Sequence, residues 1–593
     1  MREQDSPIRR AATKEYLKGI PSLDSEELIL VVSSLWNIAM TRPNDQDLPS
    51  LGVFECMADL IKKGLHDRTW LLTHQNIYIP YYAAHIIGSY TMNEVESAVR
   101  AVDSGVIPPL LELLGGKMSW VEQRVAVRAL GHLASYEMTF EAVQAYEDEI
   151  IKLSMHLASS CLEVVYNMFV GVKTRRRARY HVNLLTRGVE GIEMENQKAE
   201  EWASQLQCWS IHLLNCFAIK GRSLNLICKQ EFLKDLCEMW GGLVNQSSPA
   251  GVGLIRILCY SELGRESISE SRHVIENLCH LSRSSDDWQY MGIDCLLLLL
   301  KDPKTRHKVF DVAASYIIDL FELRNLGNRS NVGEGITRAL VNNFKHHQNS
   351  EIENPSVRKA IKELRSLKVD KRKREQTMSS ENLEEIRVMV NVLKQEGNHM
   401  FFLGQIEEAK LKYTEALELC QSMHRNARVA LLSNRAQCSL LLRNPDSAIS
   451  DATRALCLCS PPNTHAKSLW YRSQAYDMIG MSKESLLDCI TFINLCIKMN
   501  TENRLKIPYY AVRMISKQMD STWIFRAARL KALRTYRRVR EKENKEKEGV
   551  QQRNKNYNIS GLSTILEEPF PGNDGCERKR IEKAKRRSKL ISS

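Results

Sequence analysis

Long apolar runs are missing from this sequence. The longest, Cys295 to Leu300, is far shorter than the ~20 apolar residues that a bilayer-spanning helix requires. The opening residues MREQDSPIRR are charged and lack the apolar core of a secretory signal. We therefore expect a protein without a membrane segment, located in the cytoplasm.

Paired cysteines are missing as well. The sixteen cysteines are scattered along the chain without a C-x-x-C pair, and Cys457 with Cys459 is the closest spacing. Most of them fall inside apolar helical patterns, where free cysteine behaves as a small hydrophobic residue. This usage predicts a reduced, intracellular protein without a zinc site.

Catalytic signatures are also missing. The stretch GVGLIR contains Gly251 and Gly253 but has Arg256 where a dinucleotide fingerprint needs its third glycine. No phosphate-binding loop, H-E-x-x-H or G-x-S-x-G motif occurs. The fifteen histidines show no metal-ligand spacing. We expect a protein that is not an enzyme and that uses no metal or other cofactor.

The body of the chain lacks net charge. Residues 526–593 hold 20 Lys/Arg and 9 Asp/Glu, which accounts for +11 of the net charge of +12. Basic runs lie at 173–179 (KTRRRAR), 371–374 (KRKR) and 578–589 (RKRIEKAKRRSK). Such runs are read either as solvated charge or as nuclear-localisation or phosphate-binding patches. None is interleaved with the aromatic residues of a single-strand stacking platform.

The helical period is what the sequence has in abundance. The stretch GVIPPLLELLGG places its apolar residues at i, i+3, i+4 and i+7, namely at Ile107, Leu110, Leu111 and Leu114. The following helix repeats the pattern at four-residue steps, with Val121, Val125, Ala129 and Leu133. No alternating strand pattern interrupts these helices, so we predict an all-α helical solenoid whose units bury their apolar faces on one another.

Part of this solenoid resembles armadillo repeats. SGVIPPLLELL followed by VEQRVAVRALGHLA is similar to one armadillo repeat, and SLWNIA and HLLNCFA resemble fragments of others. The similarity is specific over 105–135 and diffuse over the rest of 15–345. An armadillo-like solenoid over 15–345 is therefore expected to hold a protein client or partner.

Armadillo import receptors line their groove with Asn at one recurring position. The resemblance assigns Asn37 and Asn215 to that position, whereas the equivalent residue in ALGHLA is His132. This interruption argues against a nuclear-import groove.

The composition becomes polar between the two repeat regions. We interpret 346–381 as a linker that contains a short helix around 356–367. Asn382, with Glu385 three residues later, then marks the start of a new helix.

The second region has a regular pattern of small residues, which lets antiparallel helices approach closely. These residues recur twelve positions apart, in the pairs Gly397 and Ala409, Ala436 and Ala448, and Ser473 and Ser485. The pattern resembles three tetratricopeptide repeats, at about 390–423, 429–462 and 466–499. We assign a tetratricopeptide domain to 382–520, including a capping helix after residue 500. A basic tail over 521–593 follows, helical at first and disordered after residue 549.

Within this resemblance, one subgroup grips the Glu-Glu-Val-Asp terminus of cytosolic heat-shock chaperones in a carboxylate clamp. The family pattern asks for Lys and Asn four residues apart, then Asn, then Lys and Arg four residues apart. The sequence supplies four matches and a fifth, divergent position: Lys394, Asn398, Asn434, Lys467 and Tyr471. Residues four apart lie on one helical face and can converge on one anion.

Tyr471 stands where the clamp pattern has Arg. A phenol offers one neutral donor in place of a charged fork. Losing a charged hydrogen bond lowers affinity roughly ten- to a hundredfold. Arg472 lies about 100° further round the helix, and we interpret it as a surface arginine rather than as a substitute.

The resemblances imply a plant-type armadillo–tetratricopeptide protein, distantly similar to the UCS co-chaperones but with reversed domain order. The leading hypothesis is a non-enzymatic scaffold, an adaptor or co-chaperone that binds acidic chaperone C-termini with the clamp at 394–467. The alternative is a nuclear or nucleic-acid-associated scaffold that uses the basic tail. Deletion of the tail and the salt dependence of binding discriminate between them.

Overall fold

Helices make up almost all of the secondary structure in the part of the chain that the structure describes. The computed structural model describes residues 6–23, 25–189, 191–239, 250–286, 288–347, 355–422, 424–499 and 507–555. The chain divides into two compact units, Met1–Leu530 and Lys531–Ser593. Strand pairing in these ranges joins only Asn325–Leu326 to Arg329–Ser330, antiparallel. The prediction of an all-α helical repeat fold is confirmed.

The first repeat region is a succession of helices. Its α-helices are α1 (Ser6–Gly19), α2 (Leu28–Thr41), α3 (Asp47–Ser50), α4 (Val53–His66), α5 (Arg68–Leu72), α6 (Ile79–Tyr90), α7 (Val95–Asp103), α8 (Ile107–Leu114), α9 (Trp120–Ser135), α10 (Glu137–Gln144), α11 (Glu147–Val165), α12 (Arg179–Thr186), α13 (Ile192–Ile219), α14 (Leu224–Ile227), α15 (Gln230–Glu238), α16 (Ala250–Leu258), α17 (Glu262–Glu270), α18 (Arg272–Ser282), α19 (Gln289–Lys301), α20 (Arg306–Ile317) and α21 (Val332–His347). Shorter turns of helix lie at Ile20–Ser22, Asn76–Tyr78, Tyr166–Val170, Thr174–Arg176 and Ile318–Leu320.

Helices α8 and α9 form as their sequence pattern predicts. The four apolar residues of α8 and the four of α9 are all buried. Helix α9 begins with a capping box, in which the Glu122 carboxylate accepts a hydrogen bond from the Ser119 backbone N–H at 3.0 Å. Helix α6 packs between α2 and α9, and α9 packs between α6 and α13. These four helices therefore lie side by side.

The segment interpreted as a polar linker is mostly packed helix. It contains α22 (Pro355–Arg365), a π-helical turn (Ser366–Asp370) and α23 (Lys371–Thr377). Helix α22 packs on α20 and buries an apolar stripe at i, i+3, i+4 and i+7, formed by Val357, Ala360, Ile361 and Leu364. The short helix is present, but the interpretation as a linker is wrong for these residues. One apolar face is enough to hold a polar helix in a core.

The second repeat region is a series of antiparallel helix pairs followed by one more helix. Its members are α24 (Ser380–Phe402), α25 (Ile406–Leu419), α26 (Arg425–Leu441), α27 (Pro445–Leu458), α28 (Ala466–Met478), α29 (Ser482–Met499) and α30 (Tyr509–Thr522).

Small residues allow the helices of each pair to approach closely, as the sequence predicts. A Cβ added to Gly397 would lie 2.7 Å from the ring of Tyr413 on the partner helix. In the third pair, the Ser485 hydroxyl donates to the Ser473 carbonyl oxygen at 2.8 Å. Both serines are fully buried.

The connection after α30 returns to the first region. Phe525 is fully buried, and its ring centroid lies 6.1 Å from that of Tyr166. Ala527 and Leu530, at the start of the helix that follows, are exposed. This contact attaches the end of the second region to the first.

The last described helix is α31 (Arg526–Lys555). It continues past residue 549, where the sequence predicts disorder, because Glu, Lys, Gln and Arg are strong helix formers even without an apolar face. Residues 556–593, including the basic run at 578–589, lie outside the described residues. No helix within the described ranges combines the length and apolar character needed to cross a bilayer.

Candidate functional site

Two residues of the predicted clamp come together between α24 and α26. The Asn434 side-chain amide donates to the Asn398 Oδ1 at 3.1 Å. The same oxygen accepts a hydrogen bond from the Tyr413 hydroxyl at 2.8 Å. Burial, followed by the nearby Cys438, raises the pKa of Tyr413 to about 12, so the phenol stays protonated. With Oδ1 occupied by two donors, the Asn398 amide N–H groups are directed away from this pair.

The two lysines of the predicted clamp flank this pair. Lys394 lies one turn before Asn398 on α24 and is half-buried. Lys467 lies in the first turn of α28 and is exposed. Neither lysine forms an ion pair with a carboxylate in the described part of the chain, in contrast to Lys412 on the neighbouring α25. Both ammonium groups are therefore available to an anion.

Tyr471, on α28, lies near Tyr413, the residue that holds Asn398. It is half-buried. Burial, then the proximity of Tyr510 and Cys438, raises its pKa. Tyr510 belongs to α30, and its ring centroid lies 4.6 Å from that of Trp470. At the position where the clamp pattern has Arg, this chain therefore has the neutral phenol of Tyr471, with the aromatic residue Tyr510 close by.

Arg472 is buried, so the prediction of a surface arginine is wrong. Its side chain is 1% exposed and binds the Asp488 carboxylate through two hydrogen bonds of 2.7 Å. It also donates to the Thr453 hydroxyl at 3.1 Å. All of these partners lie within the helical repeats, so Arg472 holds α28 to its neighbours and cannot replace the missing clamp arginine.

The preceding repeat contains the same arrangement. Arg435 binds Asp451, sixteen residues later, at 2.6 and 2.8 Å, and donates to Thr414 at 3.3 Å. Arg472 and Asp488 have the same separation. This sixteen-residue Arg–Asp spacing is a signal in the sequence that would have identified Arg472 as a structural residue.

The second region docks on the first through a buried carboxylate. Asp319 is 1% exposed and accepts hydrogen bonds from Arg283 at 2.5 Å, Arg454 at 2.7 Å and Ser450 at 2.8 Å. Arg454 also pairs with Glu363 of α22. Asp319 and Arg283 belong to the first region, whereas Ser450 and Arg454 lie on α27. Helix α26 also contributes, because its Arg428 binds Glu322. Among the described residues, no hydrogen bond or ion pair joins a predicted clamp residue to the first region.

The residues assigned to the armadillo asparagine position are not equivalent in their surroundings. Asn37 is exposed and Asn215 is half-buried. His132 is buried, and its Nδ1 forms a hydrogen bond with the Gly88 carbonyl oxygen at 2.8 Å. Burial, then the nearby Arg128, lowers the pKa of His132 to about 3, so the ring is neutral. His132 therefore serves as a packing residue between α6 and α9.

The basic run at 173–179 is partly structural. Arg177 is buried, pairs with Glu195 at 2.6 Å and donates to Asn196 at 2.8 Å. Its neighbours Arg175 and Arg176 are exposed. Among the residues that the structure describes, no cluster of His, Cys, Asp and Glu could hold a metal ion.

Sequence reasoning missed part of the site. It did not identify Tyr413, whose hydroxyl fixes the orientation of Asn398. It also missed Tyr510, which adds an aromatic ring beside Trp470. The sequence pointed to Tyr510 only indirectly, because it predicted a capping helix after residue 500 and Tyr510 lies in that helix.

These features define a helical repeat protein with an armadillo-like first region and a tetratricopeptide-like second region. Residues 1–229 match a family model described as Plant ARM repeat.

Individual relatives match short parts of the chain. The chain is 35% identical over 88 residues to Protein unc-45 homolog B from Danio rerio, which covers 15% of this chain and 9% of that protein. It is 31% identical over 111 residues to the DnaJ homolog subfamily C member 7 homolog from Schizosaccharomyces pombe, which covers 19% of this chain and 22% of that protein. The chain therefore spans less than a quarter of the length of either relative.

Among solved structures, a crystal structure of an engineered protein is similar with a TM-score of 0.35 and 15% sequence identity. The alignment covers 86% of this chain and 98% of that chain.

Proposed function

We propose that this protein is a non-enzymatic adaptor of the co-chaperone type, which works without a cofactor in the cytoplasm. Its tetratricopeptide-like region binds the acidic C-terminal peptide of a heat-shock chaperone, and its armadillo-like region holds a client or partner protein. The observation that carries the proposal is the Asn398–Asn434 contact, with Lys394 one turn away and Lys467 on the next repeat.

The chemistry of these groups suits a chain terminus. The side-chain NH2 groups of the two asparagines and the ammonium groups of the two lysines donate hydrogen bonds. A terminal carboxylate accepts hydrogen bonds through two oxygens. Charge-assisted hydrogen bonds are roughly twice as strong as neutral ones. The similarity to a protein named for DnaJ supports an association with chaperones. Tyr471 reduces the charge at one end of the site, so we propose weaker or altered binding of a final Asp side chain.

Calorimetry with a peptide ending in Glu-Glu-Val-Asp tests this function. We expect binding that Lys394→Ala weakens roughly tenfold or more, because a charged hydrogen bond is lost. Lys498→Ala, which removes an exposed lysine from α29, is the matched control and should leave affinity unchanged. Tyr471→Arg should tighten binding by a similar factor.

Two results would reject the proposal. One is the absence of peptide binding. The other is equal affinity of the wild-type protein and Lys394→Ala. An amidated peptide, which lacks the terminal carboxylate, should bind much more weakly than the free acid.

The nuclear alternative depends on the basic charge that follows residue 525, and residues 556–593 of that tail, including the run at 578–589, lie outside the described residues. No structural observation therefore favours that function.

A further inference from the structure

A second surface of the molecule has the properties of a binding site. The adjacent helices α2, α6, α9 and α13, together with Arg187 at the end of α12, bring together arginine, tryptophan and histidine side chains on one side of the armadillo-like region. We call this surface the arginine–tryptophan face, and its members are Trp36, His85, Arg124, Arg128, Arg187, Trp202 and Trp209.

Arg124 is buried in this face without full hydrogen bonding. Its side chain is among the buried charged groups, at 5% exposed. The guanidinium lies 3.8 Å from the ring centroid of Trp202 and donates to Gln205 at 2.6 Å and to the Tyr81 hydroxyl at 3.2 Å. Its Nε has no hydrogen-bond acceptor. A buried guanidinium with an unused donor is costly unless a further acceptor is supplied.

The imidazole of His85 faces two donors. The Trp36 indole N–H donates to Nδ1 at 2.8 Å, and a guanidinium nitrogen of Arg128 lies 3.0 Å from Nε2. Burial, followed by the charges of Arg124 and Arg128, lowers the pKa of His85 well below its usual value, so the ring is neutral. A neutral imidazole has one acceptor nitrogen and one N–H. One of the two approaching donors therefore lacks an acceptor in this face.

The positive charge of the face is not neutralised. Among the described residues, no carboxylate forms an ion pair with Arg124, Arg128 or Arg187. Arg187 is exposed, and its guanidinium lies 5.1 Å from the Trp36 ring centroid.

The nearest carboxylates have other partners. Glu122 accepts hydrogen bonds from Ser119, and Glu201 accepts from Lys198 at 2.9 Å and from Gln205 at 3.2 Å. Burial and the proximity of Arg124 lower the pKa of Arg128, as expected for like charges held together.

We propose that the arginine–tryptophan face binds an acidic segment of a partner protein, whose carboxylates pair with the guanidinium groups of Arg128 and Arg187, while the buried Arg124 adds positive charge beneath them. This proposal concerns a different site from the tetratricopeptide-like clamp and does not depend on it.

The ring arrangement favours a peptide over a nucleic acid. Trp202 has Arg124 over its ring at 3.8 Å and Tyr81 stacked against it, with centroids 5.8 Å apart and planes inclined by 11°. The Trp202 ring is therefore already in contact with two side chains of this chain, whereas a single strand needs free aromatic faces on which its bases can stack. A basic peptide would meet like charge and is excluded by the same arginines.

Fluorescence anisotropy of the full chain with labelled peptides tests the proposal. The probe is a peptide of alternating Glu and Tyr with an amidated C-terminus, so that it lacks the free terminal carboxylate that the clamp would bind. Matched probes are a Lys/Tyr peptide and a single-stranded oligothymidylate.

We expect the acidic peptide to bind and added salt to weaken that binding. Arg128→Gln should reduce affinity about tenfold or more. Arg187→Gln, which replaces an exposed side chain and leaves the core intact, should reduce affinity severalfold. Arg175→Gln, an exposed arginine outside the face, should leave affinity unchanged, as should Lys394→Ala in the clamp.

Failure of the acidic peptide to bind would overturn the proposal. Wild-type affinity in both Arg128→Gln and Arg187→Gln would also overturn it. Oligothymidylate binding that is tighter than that of the acidic peptide and that Arg128→Gln weakens would assign the face to nucleic acid instead. Retained binding of the chaperone peptide in Arg128→Gln would show that the two sites are independent.

Discussion

Two buried arginines, Arg472 in the tetratricopeptide-like region and Arg124 in the armadillo-like region, have different kinds of partner. In the tetratricopeptide-like region, Arg472 and Asp488 are 1% and 2% exposed in their side chains and neutralise each other through paired hydrogen bonds. In the armadillo-like region, Arg124 is also buried but stacks on Trp202 and donates to neutral groups. The first arrangement pairs the arginine with a carboxylate of the same chain, whereas Arg124 forms no ion pair with a carboxylate among the described residues. Burial alone therefore does not distinguish a structural arginine from a binding one, but its partners do.

The largest expected effect comes from breaking the complete pair. Arg472→Met should lower the free energy of unfolding by about 3–5 kcal/mol, because it leaves the Asp488 carboxylate buried and unpaired. Urea unfolding followed by circular dichroism measures this change.

The double variant Arg472→Met/Asp488→Leu is the control. It removes both charges, and we expect it to recover most of the lost stability. A double variant no more stable than Arg472→Met would contradict the view that the unpaired charge causes the loss.

A smaller effect follows from pH, because the armadillo-like region holds His132 neutral. The pKa of His132 is lowered from the unfolded value of 6.5 to about 3. The unfolded chain therefore binds a proton that the folded protein excludes, and stability falls as pH decreases below 6.5. At pH 5 this amounts to about 2 kcal/mol relative to neutral pH.

The variant His132→Asn isolates this contribution. It can retain the hydrogen bond to the Gly88 carbonyl oxygen but does not titrate. The stability difference between wild type and variant, measured by urea unfolding at several pH values, should shift by about 2 kcal/mol between neutral pH and pH 5. Comparing the two proteins at each pH cancels the contributions of other titrating groups. A constant difference would show that His132 is not held neutral.

The smallest expected effect sharpens the comparison of the arginines. Arg128→Met should change the free energy of unfolding by about 1 kcal/mol or less, because no buried carboxylate loses its partner and the methionine retains apolar contact with Trp209. Thermal unfolding beside Arg472→Met measures both effects in the same protein. A loss as large as that of Arg472→Met would mean that Arg128 is structural and would remove the contrast between the regions.

Local pattern was sufficient for much of the fold. The i, i+3, i+4 and i+7 spacing of apolar residues identified α8, and four-residue steps identified α9. The twelve-residue spacing of small residues, such as Gly397 with Ala409, identified the helix pairs. Such patterns depend only on which face of a helix is apolar or small. The same reasoning predicted a linker at 346–381, where α22 is packed. The average composition of this segment is polar. The four apolar residues of α22 nevertheless lie on one face, and that face is enough to pack the helix into the core.

The candidate site was predictable in part for the same reason. Lys394 and Asn398 share a helical face by their spacing, but the Tyr413 contact depends on the adjacent helix. The burial of Arg472 could not be read from its own helix, because its partner Asp488 lies on α29 and its other acceptor, Thr453, on α27.

The sequence alone determined the helical class, the positions of the helices and the residue types that line each helical face. These properties are local, since a helix is specified by periodicity, caps and small residues within a few turns. Only the tertiary structure decided that Asp319 joins the two regions and that Arg124, Arg128 and His85 meet without a carboxylate between them. Electrostatic pairing depends on distances between separate helices, and those distances are fixed only when the helices pack.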